Sequence, residues 1–282
     1  MDNSKYHTAV LWLLVAGLCV LRIPVFAILP MYLPSTREWA APVFEIGTYF
    51  LTALAIWWER DRLRDFHIDR LAFAIIVVGK PLELLFYRFG LPFESPLRSP
   101  VYWLYIPISL ALASGFFIQR WKSQKSTRKD WIWLLAGVCV GVTLGVLLGF
   151  PLRSQVAPQG VTYFPFTSLF SLPLKLLIFL PFQQMLYAGI AEEPFFRGLL
   201  WGALRKAGWK DWWVWLLQAG LFWLGHLYYF GKYPWSFWVI VPMSGLVLGW
   251  LAWRSRSIAT SMCAHGCLNG FGQIVAFYLR VS

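Results

Sequence analysis

Nothing constrains this chain more than its long stretches without charge. The run from Trp131 to Phe150 contains no Asp, Glu, Lys or Arg. Wound as a helix at 1.5 Å per residue, a run of that kind crosses a hydrocarbon layer of ~30 Å. Similar runs recur along the chain. They predict spans at 9–29, 39–58, 71–89, 101–118, 131–150, 168–190, 212–230, 236–253 and 258–279. The expected fold is therefore all-α, a polytopic membrane protein of about 8–9 transmembrane helices. The span at 71–89 is the weakest, because Lys80, Pro81 and Glu83 interrupt it, and an interfacial or re-entrant path is its alternative.

Composition agrees. Of the 282 residues, 59% are apolar and only 13% carry a charge, too few to coat a soluble globule of this size. The net charge of +12 suggests nucleic acid at first sight, but the basic residues gather in short loops between apolar spans. Positive-inside bias explains that pattern without a nucleic-acid partner. With the amino terminus on the inner side, the clusters Arg60–Arg70, Arg120–Lys129, Arg205–Lys210 and Arg254–Arg256 all face inward. The outer segments hold only Arg37, Arg88, Arg98, Arg153, Lys232 and Arg280. Compactness and short loops point to a prokaryotic plasma membrane. The first apolar stretch is too long for a signal-peptide core and reads as a retained span.

The loop Gln119–Asp130 is the most hydrophilic stretch. It separates an amino-terminal half without chemical motifs from a carboxy-terminal half that contains three. Ionisable groups at membrane depth are costly, so these are functional candidates. The first is Glu192-Glu193-Pro194-Phe195-Phe196-Arg197. On a helix Glu193 and Arg197 share a face, in the favourable order for an ion pair. Glu192 points about 100° away and is left without that partner, free to act as a general base. Pro194 removes one backbone hydrogen bond and is expected to kink the helix near Gly189–Ile190. The second motif is Phe222…His226, placed inside the span at 212–230. The third is His265…Asn269, one face of the span at 258–279. Each has a plain structural explanation: a surface ion-pair cluster, a packed histidine, polar bonds between helices.

Depth joins the three. Measured from the predicted inner ends, Glu192, His226, His265 and Asn269 lie roughly 10–21 Å in, near enough to line one intramembrane cavity. A carboxylate, two imidazoles and a carboxamide, with no nucleophile paired to a base, suit attack by water. Glu192 and His226 would hold and deprotonate it. His265 and Asn269 would donate to the developing oxyanion. Glu193 and Arg197 would fix the helix. Cys263 and Cys267 lie on the face of their helix opposite His265, which argues against a Cys-His-Cys metal site.

The series E-E-x-x-x-R, F-x-x-x-H and H-x-x-x-N, in that order on successive apolar helices, resembles the CAAX protease and bacteriocin-processing (CPBP, or Abi) family of intramembrane glutamic endopeptidases. Glu192-Glu193…Arg197, Phe222…His226 and His265…Asn269 carry the resemblance, over roughly residues 165–280. It implies a helical core, residues 165–282, preceded by amino-terminal transmembrane helices of unknown role over 1–160. It also implies a peptide or protein substrate held in the bilayer, lipidated or carboxy-terminally anchored, and no obligatory metal or other cofactor. Two other readings use the same residues. One is a zinc protease liganded by Glu192, His226 and His265. The other is a non-proteolytic scaffold, immunity or transport protein that uses the cavity for binding.

Overall fold

A computed structural model describes residues 3–88, 100–118, 128–152 and 174–281. Among these there is no strand, as the apolar runs predict. Twelve α-helices follow in order: α1 Asn3–Val20, α2 Leu29–Tyr32, α3 Arg37–Trp58, α4 Arg70–Arg88, α5 Tyr105–Ile118, α6 Arg128–Leu152, α7 Leu174–Gln184, α8 Ile190–Glu193, α9 Leu200–Lys206, α10 Asp211–Leu224, α11 Val241–Ser255 and α12 Ile258–Val281. A wider π-helical stretch, Leu21–Ile28, runs on from α1.

Four described helical stretches are long and apolar enough to cross a membrane: Lys5–Tyr32, Pro34–Trp58, Lys129–Leu152 and Ser236–Ser255. Nine spans were expected, and the difference has local causes. Helix α4 is continuous despite Pro81, but carries Lys80 and Glu83. The span expected at 168–190 begins outside the described residues. Its described part is interrupted by π-helical turns at Met185–Gly189 and Pro194–Leu199. Helix α10 stops at Leu224 rather than continuing to 230. The loop Gln119–Asp130 and the charges Arg98 and Arg153 lie wholly or largely outside the described residues.

Lys80 and Glu83 explain how polar groups survive inside α4. They are buried and pair at 2.7 Å, one turn apart. The ammonium also lies 5.5 Å from the ring of Tyr105 on α5 and 5.2 Å from that of Tyr187. Tyr105 in turn donates to Glu45 on α3. A buried pair of this kind is tolerated because each charge finds its compensation inside the protein.

Helix α12 is held by close backbone approach on two sides. Gly137, Gly141, Gly145 and Gly149 recur every fourth residue along α6. A Cβ on Gly141 would sit 2.4 Å from the carbonyl oxygen of Ala264, and one on Gly145 2.7 Å from that of Leu268. On the other side, a Cβ at Gly266 or Gly270 of α12 would come within 2.5 Å of the Pro181 backbone in α7. Small residues let helices approach this closely where lipid supplies no hydrophobic drive. The seam sets where α12, and therefore His265, stands.

The turn after α3 anchors the start of α12. His67 adopts the left-handed conformation, φ 55°, and its carbonyl accepts from the Ile258 amide at 2.8 Å. Burial, helped by the nearby Arg256, lowers the His67 imidazole to about 4 from its ordinary 6.5. The folded protein therefore holds fewer protons at this site than the unfolded chain between those values. Its contribution is complete above pH 6.5 and is lost as pH falls toward 4, up to roughly 3 kcal/mol. Thermal unfolding in detergent is expected to show the advantage of the native protein over His67→Gln shrinking between pH 7.5 and 4.5. An unchanged gap would mean that His67 is not the titrating group.

Candidate active site

Glu192 and Glu193 form the end of α8, a single turn between the two π-helical turns. Pro194 has no amide hydrogen to give to the preceding turn. A kink was expected near Gly189–Ile190; what stands there are widened turns on both sides of the carboxylates, Met185–Gly189 and Pro194–Leu199. π-Turns of this kind often mark functional positions.

Glu193 is fully buried and accepts from Arg197 Nη1 at 3.2 Å, the pair that the four-residue spacing predicts. Its Oε1 also meets His265 Nδ1 at 2.8 Å. Arg197 reaches further, to the Gly245 carbonyl at 3.4 Å, and its guanidinium lies 4.3 Å from the centre of the Phe222 ring. Phe222 packs 4.7 Å from the His226 ring and 6.2 Å, edge-on, from that of His265. It is the apolar spacer around which these side chains are arranged.

His226 is not inside a helix. It stands two residues beyond α10, in the turn that leads to Leu227–Tyr229. Its Nδ1 lies 2.8 Å from the Phe222 carbonyl oxygen. A carbonyl only accepts, so Nδ1 carries the hydrogen and, in the neutral ring, Nε2 is an acceptor. The contact also satisfies one of the carbonyls that a helix end leaves open. His226 Nε2 lies 3.8 Å from Glu192 Oε1, and His265 Nε2 lies 3.8 Å from Glu192 Oε2. Helices α8 and α12 and the end of α10 thus bring Glu192, His226 and His265 together.

Asn269 stands apart from this set. One turn along α12 from His265, its amide donates to Gln184 Oε1 of α7 at 3.4 Å. Glu192, left without Arg197 as the helix geometry predicts, has a different cation partner. Arg22, from the π-helical stretch after α1, ion-pairs with Glu192 Oε1 through Nη2. The same nitrogen lies 3.1 Å from His226 Nε2. Arg22 is buried, and the amino-terminal half therefore supplies a residue of the site. Sequence reading passed over it as one more basic residue within a span. The available signal was a lone arginine in an apolar helix, two residues before Pro24.

A metal does not fit this arrangement. Among the described residues no group of three or more His, Cys, Asp or Glu side chains is set to hold one. Glu192 Oε1 and His226 Nε2, two donors that a zinc ion would need, already face a guanidinium. Cys263 is turned to the Met185 sulfur at 3.6 Å, away from the histidines.

The comparison with protein families agrees with the three motifs. Residues 173–271 match the family model described as type II CAAX prenyl endopeptidase Rce1-like. No curated protein and no solved structure matches the chain. The match contains Glu192, Glu193, Arg197, Phe222, His226, His265 and Asn269, and excludes Arg22. Its apolar helices and this match make it an integral membrane protein whose residues 173–271 are similar to the type II CAAX prenyl endopeptidases.

Proposed function

We propose that this protein is an intramembrane endopeptidase that hydrolyses a peptide bond of a membrane-associated substrate with water activated at Glu192. One observation carries the reading. A buried carboxylate stands between two imidazoles, His226 and His265, each 3.8 Å from one of its oxygens. Oε1 is tied to Arg22, whereas Oε2 accepts no hydrogen bond among the described residues. Oε2 is therefore the atom that takes the proton of the attacking water.

The histidines divide the remaining work. His226, with Nδ1 on the Phe222 carbonyl and Nε2 facing Arg22, stands beside the carboxylate and helps to fix it against the water. His265 donates from Nδ1 to Glu193; when its Nε2 also carries a proton, Glu193 compensates the charge. His265 then donates to the oxyanion, as does Asn269 once its amide leaves Gln184. Glu193 and Arg197 hold α8, and Phe222 spaces the rings. In this reading the substrate is a lipidated or carboxy-terminally anchored peptide, residues 165–282 are the protease core, and the amino terminus lies on the inner side of a prokaryotic plasma membrane.

The test is cleavage of a peptide panel, with prenylated and unprenylated carboxy termini, by the purified protein in detergent. Mass spectrometry reads the cut position. Cleavage is expected for membrane-associating peptides and is expected to be unchanged, within about twofold, by a chelator. Loss of cleavage on chelation and its return on adding zinc would establish the metal reading instead. A panel left wholly uncut would favour a scaffold or transport role.

A further inference from the structure

We propose that Arg22 is a working part of the hydrolytic centre: it fixes Glu192 for proton abstraction and supplies the positive charge that the oxyanion meets. The inference rests on the proposed hydrolase reading and extends it to a residue outside the matched region.

The position of Arg22 is built, not incidental. The π-helical stretch Leu21–Ile28, with Pro24 inside it, places Arg22 among three other segments. The guanidinium lies 5.4 Å from the ring of Phe26 and 5.0 Å from that of Phe44. On the opposite side, Gly225 makes room: a Cβ there would sit 3.0 Å from Arg22 Cγ and 3.1 Å from Nε. Any larger residue next to His226 would press on the arginine. Nε is itself buried and donates to no partner among the described residues. A buried arginine with a free N–H is costly unless it serves something.

What it serves follows from its two contacts. Nη2 has two hydrogens. One goes to Glu192 Oε1 and the other matches the lone pair at His226 Nε2, 3.1 Å away. Arg22 thereby occupies one carboxylate oxygen and leaves Oε2 as the base. It also holds His226 in the tautomer that the Phe222 carbonyl selects.

The reaction then moves charge past a fixed cation. The O–H bond of water breaks and its proton goes to Oε2. The water oxygen bonds to the substrate carbonyl carbon, and the carbonyl π pair moves to the carbonyl oxygen. The oxyanion pair then re-forms the carbonyl as the C–N bond breaks, and Glu192 passes its proton to the departing nitrogen. Before attack, the negative charge near Arg22 is on Glu192. After attack, Glu192 is neutral and the charge is on the substrate oxygen, a few ångströms away. The guanidinium remains in place and stabilises whichever group is charged. A preorganised cation of this kind acts on the transition state without reorganising.

The experiment uses the full-length protein in detergent and an internally quenched peptide ending in a farnesylated cysteine and three further residues. Arg22→Ala is expected to lower kcat by about 100-fold or more, with KM changed less than about threefold. Methylguanidinium at millimolar concentration is expected to restore at least about tenfold of that loss, which a purely structural defect would not allow. Arg22→Lys keeps a point charge without the planar fork, and is expected to lose roughly 10-fold. Native-like kcat in Arg22→Ala, or a folded Arg22→Ala with no rescue, would overturn the inference while the hydrolase reading stands. If Arg22→Ala fails to fold, a native-like kcat in Arg22→Lys would overturn it. If the native protein leaves this peptide and the whole panel uncut, the hydrolase reading is overturned, and this inference with it; if another panel peptide is cut, that peptide serves as the substrate for the same variants.

Discussion

Glu192→Gln is expected to reduce peptide cleavage by about 10³–10⁴-fold while the protein stays folded. The substitution keeps the size of the side chain and removes the basic oxygen. It also changes the partner of Arg22 from a charged to a neutral acceptor. The guanidinium still donates to an amide oxygen, so local packing survives. His226 and His265 remain but have no carboxylate between them to receive the proton. The decisive comparison is single-turnover cleavage by native protein and variant at equal folded fraction. Cleavage within about tenfold of native would remove Glu192 from the base role. Activity in cells that survives this change would favour a binding role for the site.

Gly141→Val is expected to destabilise the protein by about 3 kcal/mol and to lower activity with it. The first added atom would meet the Ala264 carbonyl at 2.4 Å, and backbone cannot turn aside as a side chain can. Relief requires α6 and α12 to move apart. Ala264 precedes His265, so that displacement reaches the Glu193 and Glu192 contacts directly. Gly220→Ala is the matched control. It lies within α10 and a Cβ there has nothing within 4 Å. Alanine should be neutral or slightly stabilising at that position. Thermal unfolding of both variants in the same detergent checks the pair. Equal melting of Gly141→Val and the native protein would show that the seam is looser than its geometry indicates.

The residues that sequence could place are those whose partners are near in the chain. Glu193 and Arg197 meet because a helix brings fourth neighbours together. Phe222 and His226 also meet, but through a backbone carbonyl at a helix end, so the four-residue spacing identified the pair and misplaced its surroundings. Gly225 was the unused stop signal beside it. Arg22 was unreadable as a partner. It is 170 residues from Glu192 and 204 from His226, and no local rule spans such separations. The glycines of α6 were readable as small residues every fourth position, a pattern that apolar composition hid. Membrane crossing was evident for Trp131–Phe150, whose charge-free stretch falls within one of the four qualifying helices. Helices α4 and α12 are not among those four; both carry polar side chains that face protein, and such side chains lower the hydropathy of a helix without exposing it to lipid.

The distances along the chain between Arg22, Glu192, His226 and His265 have a consequence for biosynthesis. A ribosome delivers these segments to the membrane one after another. Arg22 enters first, while its carboxylate partner is still untranslated, and α12 arrives after the eleven other described helices. No shorter nascent chain contains both the base and the imidazole of His265. Under the proposed function, an intermediate that lacks α12 lacks His265, and hydrolysis awaits the packing of α12 against α6 and α7.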